Sequence, residues 1–316
     1  MKMSLQAARG LGLTCLLMAG SIVPGLAADL TVGEGKTYAL PSEAARAAQA
    51  GDVIKIFPGT YADCARLEAN GLVIEGAGPN VILAGKVCDN KGIFVTIGDD
   101  ITIRGITFMS ARAPNHNGAG IRAQGTNLTI EDSQFIDNEN GILTAPNAGS
   151  TIAITNSTFR GNGNCIAACA HGIYAGHIAL LRVENCTFEE QHVGHHVKSR
   201  AARTEVIRNS IQDGPDGSAS YLVDLPNGGS ALISGNSFEK GPRSSNKRTA
   251  IAIGAEKETN PAGDIVVEDN SFSNDTGVAT VFVQNYTSRP IALLRNRLSG
   301  NVIPLNTVQP EDKKAP

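Results

Sequence analysis

The sequence has no tryptophan and only 4% aromatic residues, whereas glycine occurs 35 times. The segments from residue 72 onward also show no helical periodicity of apolar residues. Asparagine, serine, threonine, valine and isoleucine are abundant instead, which is a composition typical of many short strands joined by turns. These features favour an all-β fold.

Long apolar runs are missing beyond the N-terminal segment, and none approaches the roughly 20 residues of a membrane-spanning helix. We therefore expect no membrane span. The N-terminal segment has the basic residues Lys2 and Arg9, then an apolar run, then small residues. This order is typical of a cleaved secretory signal peptide. We predict a signal peptide over 1–28, a mature chain from about Asp29, and a periplasmic or secreted location.

An excess of positive charge is missing too. Without Lys2 and Arg9 the 27 basic residues become 25 against 30 acidic ones, a formal balance of −5. A protein that binds nucleic acid through its bulk charge is basic, so we expect no nucleic-acid partner. Any anionic ligand must bind a local basic site, and the densest one is "HVGHHVKSRAARTEVIRNS", residues 192–210.

Five cysteines remain after the predicted cleavage, in a compartment that permits disulfides. We expect Cys64 to pair with Cys88 and a second pair to form among Cys165, Cys169 and Cys186, which leaves one buried thiol. The alternative, in which the cysteines are only small apolar core residues, stays open. Zinc is not expected, because Cys165-x3-Cys169 has no second cysteine or histidine pair at a suitable spacing.

One pattern recurs along the chain: an alternating apolar strand, a polar pair, and then an aromatic or aliphatic anchor. The anchors are Phe108, Phe135, Phe159, Phe188, Ile211, Phe238, Phe272 and Leu298, spaced by 23 to 34 residues. Such a repeat indicates a solenoid rather than a sandwich. Asparagines stand two residues before the later anchors, and we predict that they form a hydrogen-bonded ladder. They are Asn209, Asn236, Asn270 and Asn296.

With this repeat and the segment "GDVIKIFPGTY" at 51–61, the sequence resembles the right-handed parallel β-helix proteins of the pectate-lyase-like superfamily. The resemblance covers roughly residues 29–305 and implies one right-handed β-helix domain. We predict a short N-terminal capping helix over Pro41–Ala50 with Ser42 as N-cap, and a disordered tail over 306–316. This fold hosts lyases, hydrolases, epimerases, adhesins and inert scaffolds, so it does not determine the chemistry.

The strand after each anchor locates a candidate site, because alternate side chains share a face and coils stack about 4.8 Å apart. One outward column is expected to hold Lys198, Asp224, Gly254 and Gln284, while the core is filled by Val197, Val223, Ile253 and Val283. Beside it we expect a second column of Arg122, Leu143, Tyr174, His196, Leu222, Ala252 and Phe282. His195 is expected to point inward as a hydrogen-bonded core residue.

This arrangement suits β-elimination on a uronate polysaccharide, which needs a base, a cation for the carboxylate and an acid for the leaving oxygen. Lys198 is the predicted base, with its pKa lowered by His196 or Arg200. Arg200 or Arg203 would bind the carboxylate, and Tyr174 or His196 would donate the proton; Asp224 stands beside the base. Further substrate contacts are predicted for Arg122, His177, Asn227 and Glu256.

The segment "VKSRAARTEVIRNS" at 197–210 is similar to the stretch around the catalytic lysine of the chondroitinase B and alginate lyase group. That resemblance implies that Lys198 is the base. The group's acidic calcium ligand, five residues before the lysine, is replaced here by Val193. We therefore expect no metal and no cofactor, with calcium kept as the open alternative. A zinc site from His192, His195 and His196 is disfavoured because a strand splits them between faces.

Other functions stay open beside the lyase and the related C5 epimerase. Asp224 and Glu256, about 8 Å apart by strand spacing, lie within the roughly 6.5–9.5 Å range of an inverting glycoside hydrolase. Alternatively, Lys198 and Asp224 form a plain surface ion pair on a non-catalytic periplasmic β-helix that binds a glycan. The expected partner is an acidic polysaccharide, and the oligomeric state is left open.

Overall fold

The computed structural model describes residues 27–166 and 168–308, so nearly all of the predicted signal peptide and most of the predicted tail lie outside the described residues. Over this part the chain forms 31 strands and one short helix. The first elements are β1 (Asp29–Val32), α1 (Pro41–Ala47), β2 (Val53–Ile56), β3 (Gly59–Tyr61), β4 (Ala65–Leu67), β5 (Val73–Gly76), β6 (Val81–Ala84), β7 (Gly92–Thr96), β8 (Ile101–Arg104), β9 (Thr107–Met109) and β10 (Ala119–Ala123).

The middle of the chain continues the same succession of short strands. These are β11 (Leu128–Glu131), β12 (Gln134–Ile136), β13 (Asn140–Thr144), β14 (Asn147–Thr155), β15 (Thr158–Arg160), β16 (Ile173–Ala175), β17 (Ile178–Glu184), β18 (Thr187–Glu189), β19 (His195–Ser199), β20 (Arg203–Ile207) and β21 (Ser210–Gln212). The last are β22 (Tyr221–Leu225), β23 (Ser230–Ser234), β24 (Ser237–Lys240), β25 (Thr249–Ile253), β26 (Ile265–Glu268), β27 (Ser271–Asn274), β28 (Thr280–Asn285), β29 (Ala292–Leu294), β30 (Arg297–Ser299) and β31 (Val302–Thr307).

The strands form three long sheets, and each turn of the chain adds one strand to each sheet. The first sheet has the order β1-β2-β5-β8-β11-β14-β17-β20-β23-β26-β29, the second runs from β3 through β6 and β9 to β30, and the third from β4 through β7 and β10 to β31. Neighbouring strands in each sheet are parallel. The chain is therefore a parallel β-helix of about ten turns, which confirms the predicted all-β solenoid.

The core is a column of stacked aromatic rings inside the coil. The predicted anchors of the second sheet pair in register from coil to coil. The rings of Phe135 and Phe159 lie 4.7 Å apart, and those of Phe159 and Phe188 lie 4.6 Å apart. Burial of one such side chain contributes roughly 1.5–3 kcal/mol to stability, and stacking adds about 0.5–1.5 kcal/mol per ring pair.

The predicted asparagine ladder is confirmed at the turn between the first and second sheets. The side-chain oxygen of Asn236 accepts hydrogen bonds from the backbone and the side chain of Asn209, and Asn270 does the same for Asn236. The side-chain nitrogen of Asn236 also donates to the carbonyl of Val206 in the preceding coil. A shorter ladder, which the sequence analysis did not predict, joins Asn138 to Asn162.

The helix near the N-terminus is shorter than predicted, and its N-cap is Leu40 rather than Ser42. Pro41 opens the helix, because the first helical residue needs no N–H partner. The Glu43 carboxylate accepts the N–H groups of Ala39 and Leu40, whereas the Ser42 N–H donates to Asp63. Three helix residues are buried, and the capping role of the helix stays a prediction.

The cysteines pair as predicted. Disulfides join Cys64 to Cys88 and Cys165 to Cys169, and Cys186 is a buried free thiol. Burial raises the pKa of Cys186 to about 12, so the thiol stays protonated at neutral pH.

Within the described residues no helix is both long and apolar enough to span a membrane. The last strand runs to Thr307, two residues beyond the predicted domain end.

Candidate functional site

The third sheet carries the candidate site on one outward column of side chains. Tyr174 pairs in register with Lys198, and Lys198 pairs with Asp224, which confirms the predicted Lys198–Asp224 neighbours. Asp224 then pairs with Ala252, so the predicted place of Gly254 in this column is wrong. Gly254 instead follows β25, with a φ of 80°. Tyr174 and Ala252, predicted for a second column, share the column of Lys198, as do Leu143, Arg122 and Gln284.

The predicted orientations of His195 and His196 are both wrong. His196 is 1% exposed and lies inside the coil, where its Nε2 is 3.0 Å from Asp213 Oδ1. His195 faces outward, with its Nε2 3.4 Å from Asp224 Oδ2. His196 therefore takes no part in the outer site.

The reason for the exchange is a local departure from strict alternation. The neighbouring residues His196 and Val197 are both buried, so the strand bends inward at this point. Two coils earlier, Gly141 occupies the position of His196, and a Cβ on it would come within 2.9 Å of the Phe159 ring. This position therefore faces the ring column inside the coil, where His196 contacts the Phe188 ring, and His195 before it faces outward.

Six of the ten predicted site residues meet in one group, which we call the Lys198 cluster. Its members are Tyr174, Lys198, Arg200, Asp224, Asn227 and Glu256. The Lys198 ammonium lies 3.0 Å from Asp224 Oδ2 and 3.1 Å from Glu256 Oε1. It also lies 5.9 Å from the centre of the Tyr174 ring. The lysine is thus held between two carboxylates beside an aromatic face.

The guanidinium of Arg200 makes the second half of the cluster. Its Nε donates to the Tyr174 hydroxyl over 2.9 Å, and one terminal nitrogen donates to Asn227 Oδ1 over 2.5 Å. The other terminal nitrogen lies 2.6 Å from Glu256 Oε2. Glu256 therefore bridges the two cations with its two oxygens.

The electrostatics of the cluster keep Lys198 charged. Burial lowers the pKa of Lys198, but the attraction of Asp224 and Glu256 outweighs burial and raises this pKa above its ordinary value. The predicted lowering of this pKa is therefore wrong. Burial also raises the pKa of Glu256, yet the hydrogen bonds from Arg200 and Lys198 lower it overall. At neutral pH the cluster thus holds an ammonium ion, a guanidinium ion and an ionised Glu256.

Asp224 is the most enclosed acid of the cluster, with a side chain 3% exposed. Burial raises its pKa, although Lys198 opposes the shift. Its Oδ2 contacts Lys198 and His195, whereas its Oδ1 has no hydrogen-bond partner within the described part of the chain.

A second row of side chains, which the sequence analysis did not assign, runs beside the cluster. His171, His195 and Tyr221 are stacked, with ring centres 4.8 and 4.9 Å apart. His171 Nδ1 accepts the N–H of His195, and His195 Nδ1 accepts the N–H of Tyr221. In the neutral imidazoles the proton is therefore on Nε2. Burial lowers the pKa of His171 to about 3 and holds that of His195 well below its ordinary value.

One sequence signal marks this row: each member stands three residues before a member of the first column. His171 precedes Tyr174, and His195 precedes Lys198, by this interval, as Tyr221 precedes Asp224. An alignment that allows for the inward bend would have found it.

The remaining predicted residues lie elsewhere. Arg203 is in the first sheet and forms an ion pair with Glu205 over 2.7 Å. His177 is exposed in the turn between β16 and β17. Arg122 stands in the cluster's column, two coils before Tyr174, where burial lowers its pKa.

The fold and the Lys198 cluster define a parallel β-helix protein with an ion-paired group of side chains on one sheet. The chain belongs to the NosD family: the family described as "Periplasmic copper-binding protein (NosD)" matches residues 58–243, more than half of the sequence. No curated protein matches the chain significantly.

Three solved structures are similar to the chain at low identity, and the likeness to the first of them shows the same fold. Pectate lyase Pel9A has 17% identity and a TM-score of 0.55, covering 87% of this chain and 75% of that chain. Pectin methylesterase PemA from Erwinia chrysanthemi has 11% identity and a TM-score of 0.48, covering 90% and 93%. The catalytic unit of the GH87 α-1,3-glucanase from Streptomyces thermodiastaticus strain HF3-3 has 14% identity and a TM-score of 0.46, covering 86% and 62%.

The described residues do not fit a copper centre. None of their groups of three or more histidine, cysteine, aspartate and glutamate side chains is placed to hold a metal ion. The imidazoles beside the Lys198 cluster are those of His171 and His195. Their Nδ1 atoms already accept backbone N–H groups, so these nitrogens are not available to bind a metal ion. The positive charges of Lys198 and Arg200 lower the pKa of His171, and they oppose a further cation in the same way.

Proposed function

We propose that the Lys198 cluster binds the carboxylate groups of an acidic polysaccharide in the periplasm. One observation carries the proposal: Lys198 and Arg200 both contact a single carboxylate, that of Glu256, over 3.1 and 2.6 Å. Two cations held at this spacing form a carboxylate-binding pair. The likeness to pectate lyase Pel9A supports the parallel β-helix fold that carries the Lys198 cluster.

β-Elimination is the reaction we propose for this site, because the three required groups lie in one cluster. Arg200 would neutralise the uronate carboxylate as it becomes enolate-like, and the Tyr174 hydroxyl, 2.9 Å from Arg200 Nε, would donate a proton to the leaving oxygen. Lys198 would accept the C5 proton, for which its amine must be neutral. The raised pKa of Lys198 means that its ion pair with Glu256 must open and its ammonium must release a proton to solvent before the amine can act as the base. C5 epimerisation shares this proton abstraction.

The geometry disfavours the inverting glycoside hydrolase. The Lys198 ammonium lies 3.0 Å from Asp224 Oδ2 and 3.1 Å from Glu256 Oε1. These two carboxylate oxygens are therefore at most about 6 Å apart. An inverting pair needs roughly 6.5–9.5 Å, with a water molecule between the carboxyl groups. Here the Lys198 ammonium occupies that space.

Binding is tested by titrating polygalacturonate, alginate, a glycosaminoglycan and neutral dextran into the mature protein. We expect an acidic polymer to bind and dextran not to bind. Arg200→Ala should weaken binding about tenfold or more, because a hydrogen bond to a charged group contributes roughly 1.5–3 kcal/mol. Lys247→Ala removes an exposed lysine in another loop and is the matched control.

Two outcomes contradict the proposal: no acidic polymer binds, or Lys247→Ala weakens binding as much as Arg200→Ala. Ultraviolet absorbance of unsaturated uronate ends in the same mixtures tests the lyase. New reducing ends without that absorbance support a hydrolase. Binding with neither product identifies a non-catalytic glycan-binding protein.

A further inference from the structure

We infer that Glu256 is an internal occupant of the carboxylate subsite, which a ligand carboxylate must displace before it reaches Lys198 and Arg200. This inference rests on the proposed function and specifies how the same site selects its ligand. It gives Glu256 a different role from the predicted one, in which it contacts the substrate directly.

The contacts of Glu256 are those that a bound uronate would make. Its Oε1 is 3.1 Å from Lys198 Nζ, and its Oε2 is 2.6 Å from a terminal nitrogen of Arg200. A ligand carboxylate placed between the same two cations would use the same donors. The two occupants therefore exclude each other.

The Glu256 side chain is freer to move than the cations that it bridges. It is 48% exposed, whereas the side chains of Lys198 and Arg200 are 11% and 17% exposed. It thus lies over the cations and faces solvent. Asp224 and Tyr174, by contrast, are fixed on strands β22 and β16.

The backbone around Glu256 is anchored, so exchange requires only a side-chain rotation. The N–H groups of Glu256 and Lys257 donate to the carbonyl of Pro226. The Asn227 side chain donates to the carbonyl of Lys257. Rotation of the Glu256 side chain toward solvent uncovers the cations without moving the loop.

The charges of the cluster explain the selectivity. The ionised Glu256 carboxylate compensates one positive charge of the Lys198 and Arg200 pair in the closed site. When Glu256 rotates away, that positive charge is uncompensated, and one ligand carboxylate compensates it again. A neutral sugar cannot replace both ion pairs, so it leaves Glu256 in place.

The test compares Glu256→Ala with Glu258→Ala, which removes the same charge from the same loop and whose carboxylate bonds to Ser288 instead. Calorimetry measures the affinity for an oligogalacturonate and for its methyl-esterified form. In parallel, mass spectrometry follows the labelling of Lys198 by an amine reagent without ligand.

We expect Glu256→Ala to bind the oligogalacturonate about tenfold tighter than wild type, since it removes a competing charge-assisted contact. Glu258→Ala should stay within about twofold, because surface charges away from the site contribute little. The esterified ligand should not bind. Labelling of Lys198 should be several-fold faster in Glu256→Ala alone.

Two failures are distinguishable. Unchanged or weaker binding in Glu256→Ala, or Lys198 labelling no faster than in Glu258→Ala, overturns the role of Glu256. Absence of oligosaccharide binding in every variant, with faster labelling in Glu256→Ala, overturns the proposed function and with it the ligand exchange, while the covering of Lys198 stands.

Discussion

Within residues 27–166 and 168–308, Lys240 is the one buried lysine, and it lies inside the coil near the candidate site. Lys240 is completely buried, donates to the carbonyl of Ser220 over 2.7 Å, and lies 4.0 Å from Asp213 Oδ2. Asp213 also contacts His196, on the strand that carries Lys198. Buried charges of this kind tolerate the loss of one partner poorly, because the other is left uncompensated.

The lysine predicts a specific pH dependence of stability. Burial lowers the pKa of Lys240 from 10.5 to about 8, despite the attraction of Asp213. Between about pH 8 and 10.5 the unfolded chain therefore binds more protons at this residue than the folded chain. Its contribution to the free energy of unfolding must then rise with pH.

Urea unfolding from pH 7.5 to 10.5 measures this contribution as the difference between wild type and Lys240→Met. We expect the stability of wild type relative to the variant to increase over this range, since methionine cannot titrate. A difference that is constant with pH would show that Lys240 keeps an ordinary pKa.

At the scale of elements, the asparagine ladder fixes the turn between the first and second sheets. The Asn236 amide joins three successive coils, because it accepts from Asn209 and donates to Val206 and Asn270. Its side chain is buried, so its removal leaves the groups it bonds without partners or water.

Asn236→Ala should therefore lower the free energy of unfolding by roughly 2–3 kcal/mol, the sum of lost hydrogen bonds and unsatisfied groups. Asn301→Ala, at an exposed position, should change it by less than about 0.5 kcal/mol. Chemical denaturation of both variants measures the two effects. Equal effects would mean that the ladder adds no stability.

The whole molecule departs from the description of its own family. The NosD family is described as copper-binding, yet the described residues lack a suitable ligand group, and two cations lie beside the nearest imidazoles. Ligand type and geometry determine copper affinity, and cationic neighbours oppose it.

We expect the mature protein, after incubation with copper and dialysis, to retain well below one copper ion per chain. Elemental analysis measures the ratio, and the His195→Ala variant is the control for weak imidazole binding. Retention of one ion per chain, lost in His195→Ala, would contradict this expectation.

The repeat made the fold predictable from sequence. Anchors such as Phe135 and Phe159 recur at coil length, and only a stack of coils buries them all. The same periodicity placed Lys198 beside Asp224, because one strand follows each anchor and matching positions of these strands occupy one column. The ladder followed from the same regularity. The Cys64–Cys88 pair was predicted instead from the cysteine count and a compartment that permits disulfides.

Periodicity did not determine which way His195 and His196 point. That orientation depends on the packing inside the coil, where His196 lies beside the Phe188 ring and both His196 and Val197 are buried. It also did not predict that Glu256 comes back from a loop to bridge Lys198 and Arg200. A loop's path depends on contacts across coils, here with Pro226, which local sequence does not encode.

The sequence by itself thus determined the coil and the pairing of Lys198 with Asp224 on its outer face, because repeated strands bury their anchors only when they stack in successive coils. Tertiary structure decided the orientation of the histidines, the charge of Lys198 and the occupant of its binding site, because these depend on burial and on contacts between residues distant in the chain.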